Sequence, residues 1–116
     1  MISAKKINRE QAFHAIKNGE FAPSVIASAA RVAVVMTQDW CPQWTSMKRW
    51  LYDLEPDLEL YELVYNLEDF FHEFRTFKET SWENGHIPYV RYYVDGSLKA
   101  VSNYVSREDF LKNLSL

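Results

Sequence analysis

The residues of this sequence best suited to chemistry lie in one stretch, DWCPQW at positions 39–44. Cys41 is the only cysteine of the chain; a proline follows it directly, and Trp44 lies three residues later. A cysteine acts as a nucleophile through its thiolate, and the thiolate fraction depends on the surroundings of the sulfur. The elements around Cys41 therefore decide whether it is a reactive thiol or a small apolar side chain.

The flanking residues predict that Cys41 lies between a strand and a helix. The segment RVAVVMT at 31–37 is apolar on both faces and rich in β-branched residues, which is typical of a central strand. Pro42 suits the first position of a helix because it has no N–H group to leave unpaired. Cys41 is then the predicted N-cap of that helix.

An N-cap position has direct consequences for the sulfur of Cys41. The sulfur can accept hydrogen bonds from the backbone N–H groups of Gln43 and Trp44. The positive end of the helix dipole also favours a thiolate over a thiol. The carboxylate of Asp39 opposes this effect if it lies close to the sulfur, because a second negative charge disfavours the anion.

Capping, turn and periodicity signals divide the rest of the chain into elements. Helices are predicted at 9–18, at 24–30, from Pro42 towards Pro56, at 66–82 and from the SRED segment at 106–109. Strands are predicted at 31–37, 58–64, 88–94 and 97–105, the last two joined by the hairpin dipeptide Asp95–Gly96. This order predicts a single α/β domain over 1–116 whose sheet is covered by helices on both faces.

Composition and charge argue against several classes of function. Hydrophobic residues make up 47% and charged residues 25% of the chain, which is typical of a globular protein. A net charge of −3 without any lysine or arginine block argues against nucleic-acid binding. No apolar run is long enough to span a membrane, and residues 1–20 lack the pattern of a signal peptide. With one cysteine and no internal disulfide, the chain is expected to be cytoplasmic.

Two motifs, in this order, resemble those of the thioredoxin superfamily. That family places W-C-x-x-C at the start of a helix that follows a core strand, and a cis-proline at the head of the closing hairpin. This sequence has WCPQW at 40–44 and GHIPYVRYYVDGSL at 85–98. The resemblance extends over roughly residues 8–114 and implies a thioredoxin-like fold, with a central mixed β-sheet flanked by helices.

Taken residue by residue, the resemblance implies a site around Cys41. Cys41 matches the attacking cysteine of the family, and Trp40 matches the tryptophan before it. Pro88 matches the cis-proline, and Ile87 matches the residue whose backbone pairs with an extended substrate. The other loop residues expected on the substrate side are Pro42, Gln43 and Trp44.

Departures from the family pattern limit the chemistry that the resemblance implies. Trp44 replaces the second cysteine, so the chain cannot resolve a mixed disulfide internally and is not a dithiol reductase. Val35 stands where many thioredoxins have a buried acid that assists proton transfer, and VSNYV at 101–105 lacks the glycine that many of them have. Neither the C-G-F-S loop nor the glycine-rich glutathione site of monothiol glutaredoxins is present, so no cofactor is expected.

The three histidines do not predict a metal site, because none has a cysteine or carboxylate at ligand spacing. His14 and His72 are expected to be ordinary surface or packed side chains. His86 lies two residues before Pro88, and in the expected fold it could approach Cys41 and act as a base or stabilise the thiolate. An ordinary structural role is the alternative for His86 as well.

Two functions remain open at this point. In the first, Cys41 attacks a disulfide of a protein or peptide partner and an external thiol resolves the adduct, a role in cell redox homeostasis. In the second, the groove between residues 40–44 and Pro88 binds a peptide or protein without a covalent step. The first requires an accessible sulfur, and the second predicts normal function after Cys41→Ser. Trp40 and Trp44 either pack around the helix start or form an exposed surface for the partner.

Overall fold

The computed structural model describes residues 4–116; the first three residues of the predicted domain lie outside the described part. The strands are β1 (Ala4–Lys6), β2 (Arg31–Thr37), β3 (Glu59–Val64), β4 (Tyr89–Val94) and β5 (Ser97–Ser102). The helices are α1 (Arg9–Asn18), α2 (Pro23–Ile26), α3 (Pro42–Leu51), α4 (Phe71–Thr80) and α5 (Arg107–Asn113), with a 3₁₀ turn at Tyr65–Leu67. Among the described helices, none is long and apolar enough to cross a membrane.

The five strands form one mixed sheet in the order β1-β3-β2-β4-β5. β1, β3 and β2 run parallel, whereas β4 is antiparallel to both β2 and β5. Residues 32–37 of β2 are all buried, which confirms the central strand that the apolar pattern predicts. Asp95 and Gly96 join β4 to β5 with φ values of 52° and 79°, the left-handed geometry that a tight hairpin turn requires.

Helices cover both faces of the sheet, as predicted. Alternate residues of β2 point to opposite sides, so Val34 and Met36 enter one core while Ala33 and Val35 enter the other. The first core also contains buried side chains of α1, α2 and α4, and the second contains those of α3 and α5. The predicted α/β architecture, a mixed sheet flanked by helices, is confirmed.

Local capping signals place the start and end of α1 correctly. The side chain of Asn8 accepts a hydrogen bond from the backbone N–H of Gln11 at 2.8 Å, and the Gln11 side chain accepts one from the Asn8 N–H at 2.9 Å. This reciprocal pair satisfies two N–H groups that the first turn otherwise leaves unpaired. Gly19 ends the helix with a φ of 81°.

Three predicted helices are longer than the observed ones. α2 ends at Ile26 rather than at residue 30, because the small residues at 27–30 offer almost no apolar face to bury. α3 ends at Leu51, well before Pro56. The predicted helix at 66–82 is divided into the 3₁₀ turn and α4, so Leu67 leaves the apolar face and is 65% exposed.

Strand β1 is absent from the sequence-based prediction. Its residues, AKK, have no alternating apolar pattern. They pair with Leu60, Tyr61 and Glu62 of β3, more than fifty positions along the chain. Because this pairing depends on a distant strand, no local sequence pattern predicts it.

Candidate functional site

Cys41 occupies the N-cap position of α3, as predicted. Its backbone is extended, with φ −75° and ψ 117°, and Pro42 takes the first helical position. A turn after β2 brings the chain there, closed by a hydrogen bond from the Cys41 N–H to the Gln38 carbonyl at 3.2 Å. The strand end and the helix start together hold the cysteine at one edge of the sheet.

The sulfur of Cys41 does not accept the hydrogen bonds that its N-cap position predicts. Its side chain makes no capping bond; instead Sγ lies 3.8 Å from the carbonyl oxygen of Ile87 and donates to it. The physical reason is that a protonated thiol is a donor, and the Ile87 carbonyl is the acceptor that the fold brings to it. The residue is 4% exposed. The cysteine and the proline turn therefore contact each other directly.

The turn that faces Cys41 has a cis peptide bond between Ile87 and Pro88. Asn103 holds the backbone around it by donating from Nδ2 to the Pro88 carbonyl at 3.0 Å and to the His86 carbonyl at 3.3 Å. Asn84 and Asn103 also bond to each other through their side-chain amides, at 2.9 and 3.2 Å. Asn103 lies in the VSNYV segment where a glycine was expected, so this departure has a structural role.

Lys78 supports the same turn from inside the protein. It is fully buried on α4, and its Nζ donates to the carbonyls of Asn84 and His86, each at 2.7 Å. Burial lowers the pKa of Lys78 to about 8, and the charge of Glu79 opposes this only in part. Lys78 is not among the residues predicted from the sequence, although its spacing of four from Phe74 places it on the buried face of the helix.

Lys78→Met is expected to remove a pH dependence of stability that the native protein has. The unfolded lysine, with a pKa near 10.5, binds its proton more tightly than the folded one, so the unfolded state holds more protons between pH 8 and 10. The free energy of unfolding therefore rises with pH in this window, by about 1 kcal/mol per pH unit, relative to the variant. Urea unfolding at several pH values measures this slope. Equal slopes in the two proteins would show that the folded lysine titrates normally.

The two tryptophans beside Cys41 have opposite environments. Trp44 is 2% exposed and packs in the core beneath α3, whereas Trp40 is 64% exposed. The ring N–H of Trp40 donates to the Gln38 side chain at 2.8 Å, which fixes the indole beside the cysteine. Trp44 therefore packs around the helix start, whereas Trp40 forms an exposed aromatic surface that a partner can contact. The exposed Pro42 and Gln43 lie between them.

Asp39 and His86, the two residues that could influence the Cys41 thiolate, are both exposed. The carboxylate of Asp39 accepts a hydrogen bond from Asn66 at 2.7 Å, and the Asp39 N–H donates to the same side chain at 2.9 Å. The backbone of His86 is held by Asn84 and Lys78, and its ring has no hydrogen bond within the described chain. Over residues 4–116, no three His, Cys, Asp or Glu side chains are grouped as metal ligands would be.

A cleft of about 260 Å³ opens beside the Cys41–Ile87 contact. Its walls come from the loop after β2, the start of the 3₁₀ turn, α4 and the segment before Pro88. The lining residues are Gln38, Trp40, Tyr65, Arg75, Glu79, Gly85 and Ile87. Trp40 and Ile87 were predicted as site residues, but Tyr65, Arg75 and Glu79 were not, because only the folded chain brings α4 to this edge.

Comparison with solved structures identifies the architecture. Mitochondrial thioredoxin 3 from Saccharomyces cerevisiae superimposes with a TM-score of 0.68 and 15% identity, over 97% of this chain and 93% of that chain. Thioredoxin O1 from Arabidopsis thaliana gives 0.67 and 13%, over 96% of each chain. The thioredoxin of Malassezia sympodialis gives 0.66 and 9%, over 99% and 90%.

Sequence comparison is less informative than structural comparison for this chain. No protein-family model matches it, and no curated protein matches it in sequence. Identities of 9–15% to solved structures are evidence of shared architecture only. The mixed sheet, the helices on both faces and the full-length superpositions nevertheless agree, and the chain has the thioredoxin fold.

Proposed function

We propose that this thioredoxin-like protein acts through Cys41 as a single-thiol exchange protein on disulfides of a protein or peptide partner. The observation that carries the proposal is the direct contact of the Cys41 sulfur with the Ile87 carbonyl, at the edge of an open cleft. A partner segment lying along Ile87 and Trp40 in this cleft would bring its disulfide next to the sulfur. The solved thioredoxins that share the fold support this assignment by analogy alone.

The thiolate that exchange requires would find hydrogen-bond donors at the start of α3. A thiolate cannot donate a hydrogen bond, so loss of the proton ends the contact with Ile87. The first-turn N–H groups of Gln43 and Trp44 have no partner within the helix and can then donate hydrogen bonds to the negative sulfur. Exchange therefore requires a short movement of the sulfur from the carbonyl towards the helix terminus.

Thiol–disulfide exchange through Cys41 needs external thiols as the source of electrons. The Cys41 thiolate attacks one sulfur of the partner disulfide, forms a new S–S bond and releases the other sulfur as a thiolate. Trp44 cannot resolve this adduct, so an external low-molecular-weight or protein thiol attacks the partner's sulfur in it, which releases the Cys41 thiolate and leaves the partner joined to that thiol. A second external thiol then attacks this new mixed disulfide, which releases the reduced partner and forms a disulfide between the two external thiols. The partner disulfide gains two electrons, which the external thiols supply. A reducing compartment such as the cytoplasm provides such thiols.

The burial of Cys41 favours a second candidate, binding without a covalent step. A residue that is 4% exposed and already hydrogen-bonded resembles a packed side chain more than a free nucleophile. In this alternative the cleft holds an extended peptide, and Trp40 and Ile87 supply contact area while the sulfur only fills space. The two candidates share one surface and differ in the need for sulfur chemistry.

Reaction of folded protein with an aromatic disulfide such as dithionitrobenzoate separates the two candidates. Thiol exchange predicts release of one equivalent of thionitrobenzoate per chain at pH 7, with none from Cys41→Ser. A Cys41-dependent mixed disulfide should also form with a partner in cell extract. Denatured protein is the control for total thiol. A folded protein that is inert even at pH 9, with normal partner binding after Cys41→Ser, would favour the binding module.

A further inference from the structure

Tyr65 places a buried hydrogen-bond donor in the wall of the cleft. Its side chain is 1% exposed, and its hydroxyl oxygen accepts a hydrogen bond from the Gln38 amide at 3.4 Å. Gln38 is oriented by Trp40, whose ring N–H donates to the other end of the same amide. Within the described residues, the Tyr65 O–H group has no acceptor of its own. Burial raises the pKa of this hydroxyl, so it keeps its proton.

Arg75 adds further donors to the same cleft. Its guanidinium contacts Glu79 through Nε alone, at 3.3 Å, one turn along α4. Both terminal Nη groups are without a hydrogen-bond partner among residues 4–116, and the side chain is about half exposed. A guanidinium with both terminal nitrogens free can bind a carboxylate with two parallel hydrogen bonds. The cleft thus combines a fixed neutral donor with a cationic one.

We propose that this cleft recognises an aspartate or glutamate side chain of the partner segment, held by the Tyr65 hydroxyl and the Arg75 guanidinium. The proposal rests on the proposed function, because the acidic residue would lie a few positions from the partner's reactive cysteine. Trp40 contacts the part of the partner segment that lies between the acidic residue and the reactive cysteine. The acid thus selects which disulfides reach Cys41.

Charge explains why a carboxylate fits better than other groups. Glu79 already balances part of the charge of Arg75, so a singly charged anion suits the site better than a doubly charged phosphate. A neutral carbonyl could accept from Tyr65 but gains no charge-assisted bond. The chain has a net charge of −3, so long-range electrostatics disfavour acidic partners in general. A preference for acidic segments would therefore come from the site itself.

Activated peptides test this proposal. Each peptide is blocked at both ends and contains one cysteine, which is activated as a mixed disulfide with thionitrobenzoate. Each also contains one glutamate, and its position relative to the cysteine differs from peptide to peptide. A second series with glutamine in place of glutamate is the reference. The rate of thionitrobenzoate release reports attack by Cys41. We expect glutamate to accelerate the reaction about tenfold over glutamine at one or two positions, the effect of one charge-assisted hydrogen bond.

Matched variants locate the effect. Tyr65→Phe and Arg75→Gln should each reduce the glutamate advantage to about threefold or less, and the double variant should abolish it. Arg107→Gln removes a cation that lies on α5, outside the cleft, and should leave the advantage unchanged. Equal rates for glutamate and glutamine at every position would overturn the proposal, as would an advantage that survives the double variant.

A second measurement separates failure of the inference from failure of the proposed function. If no peptide reacts, Cys41 is not an exchange thiol, and the same peptides with serine in place of cysteine are titrated into Cys41→Ser. The NMR shift of the Trp40 indole N–H then reports occupancy of the cleft. Tighter binding of glutamate peptides, lost in Tyr65→Phe, would support acidic recognition without exchange. Equal affinities would reject it.

Discussion

Trp44→Ala is expected to lower the free energy of unfolding by about 3–5 kcal/mol, whereas Trp40→Ala should change it by less than about 0.5 kcal/mol. The two residues lie on either side of Cys41 and belong to the same motif. Trp44 is buried against Met47 and Leu51, so alanine leaves a large cavity that the core cannot fill. Trp40 stands in solvent, with one exposed hydrogen bond to Gln38.

The order of effects should reverse when function is measured. Trp40→Ala removes the exposed aromatic wall of the cleft and should weaken partner binding or slow thiol exchange, while the fold stays intact. Urea unfolding followed by far-UV circular dichroism gives the stabilities, and an unchanged m-value shows that the unfolding reaction is the same. Similar losses of stability in both variants would mean that the burial difference between the two tryptophans has no energetic consequence.

Glu20→Gln is expected to destabilise the protein by about 3 kcal/mol through an ion pair on the other face of the sheet. Arg91 is buried on β4, and its Nη2 lies 2.7 Å from the Glu20 carboxylate. Its Nη1 donates to the Tyr89 hydroxyl at 2.8 Å, and its Nε donates to the Tyr93 hydroxyl at 2.9 Å. The Arg91 guanidinium also lies 4.1 Å from the ring centroid of Trp82. Removing the carboxylate leaves a cation in the core without its counter-charge, which is costly.

A matched control is available on the surface of the same protein. Asp69→Asn makes the equivalent change in the exposed pair with Arg9 and should cost less than about 0.5 kcal/mol, because water screens that pair. Adding Arg91→Met to Glu20→Gln should recover at least about 1 kcal/mol, since the unpaired charge is then gone. Thermal and urea unfolding of the four proteins measures these differences. A Glu20→Gln loss no larger than that of Asp69→Asn would show that the buried cation is stabilised without Glu20.

Prediction from sequence succeeds here where a signal is local. The central strand 31–37, the Asp95–Gly96 hairpin and the N-cap position of Cys41 are all set by residues within a few positions of one another. Hydrogen bonds at a cap or turn span at most four or five residues, so the residue types in that short window decide them. Helix ends such as residues 26 and 51 are less predictable, because they depend on what the helix packs against.

The orientation and exposure of the site residues, by contrast, depend on contacts between distant parts of the chain. The Cys41 sulfur turns towards Ile87, forty-six positions away, instead of towards its own helix. Lys78 of α4 and Asn103, which follows the end of β5, both donate to the carbonyl of His86.

The sequence by itself determined the class of fold and the placement of one cysteine at a helix start beside a proline turn. Only the tertiary structure decided that Trp44 is core, that Trp40 is surface, and that Arg75 and Tyr65 share a cleft with them. The physical reason is that burial is a property of the assembled layers. Two tryptophans four positions apart have the same chemistry, and their environments differ because α3 presents one to the sheet and the preceding turn presents the other to water.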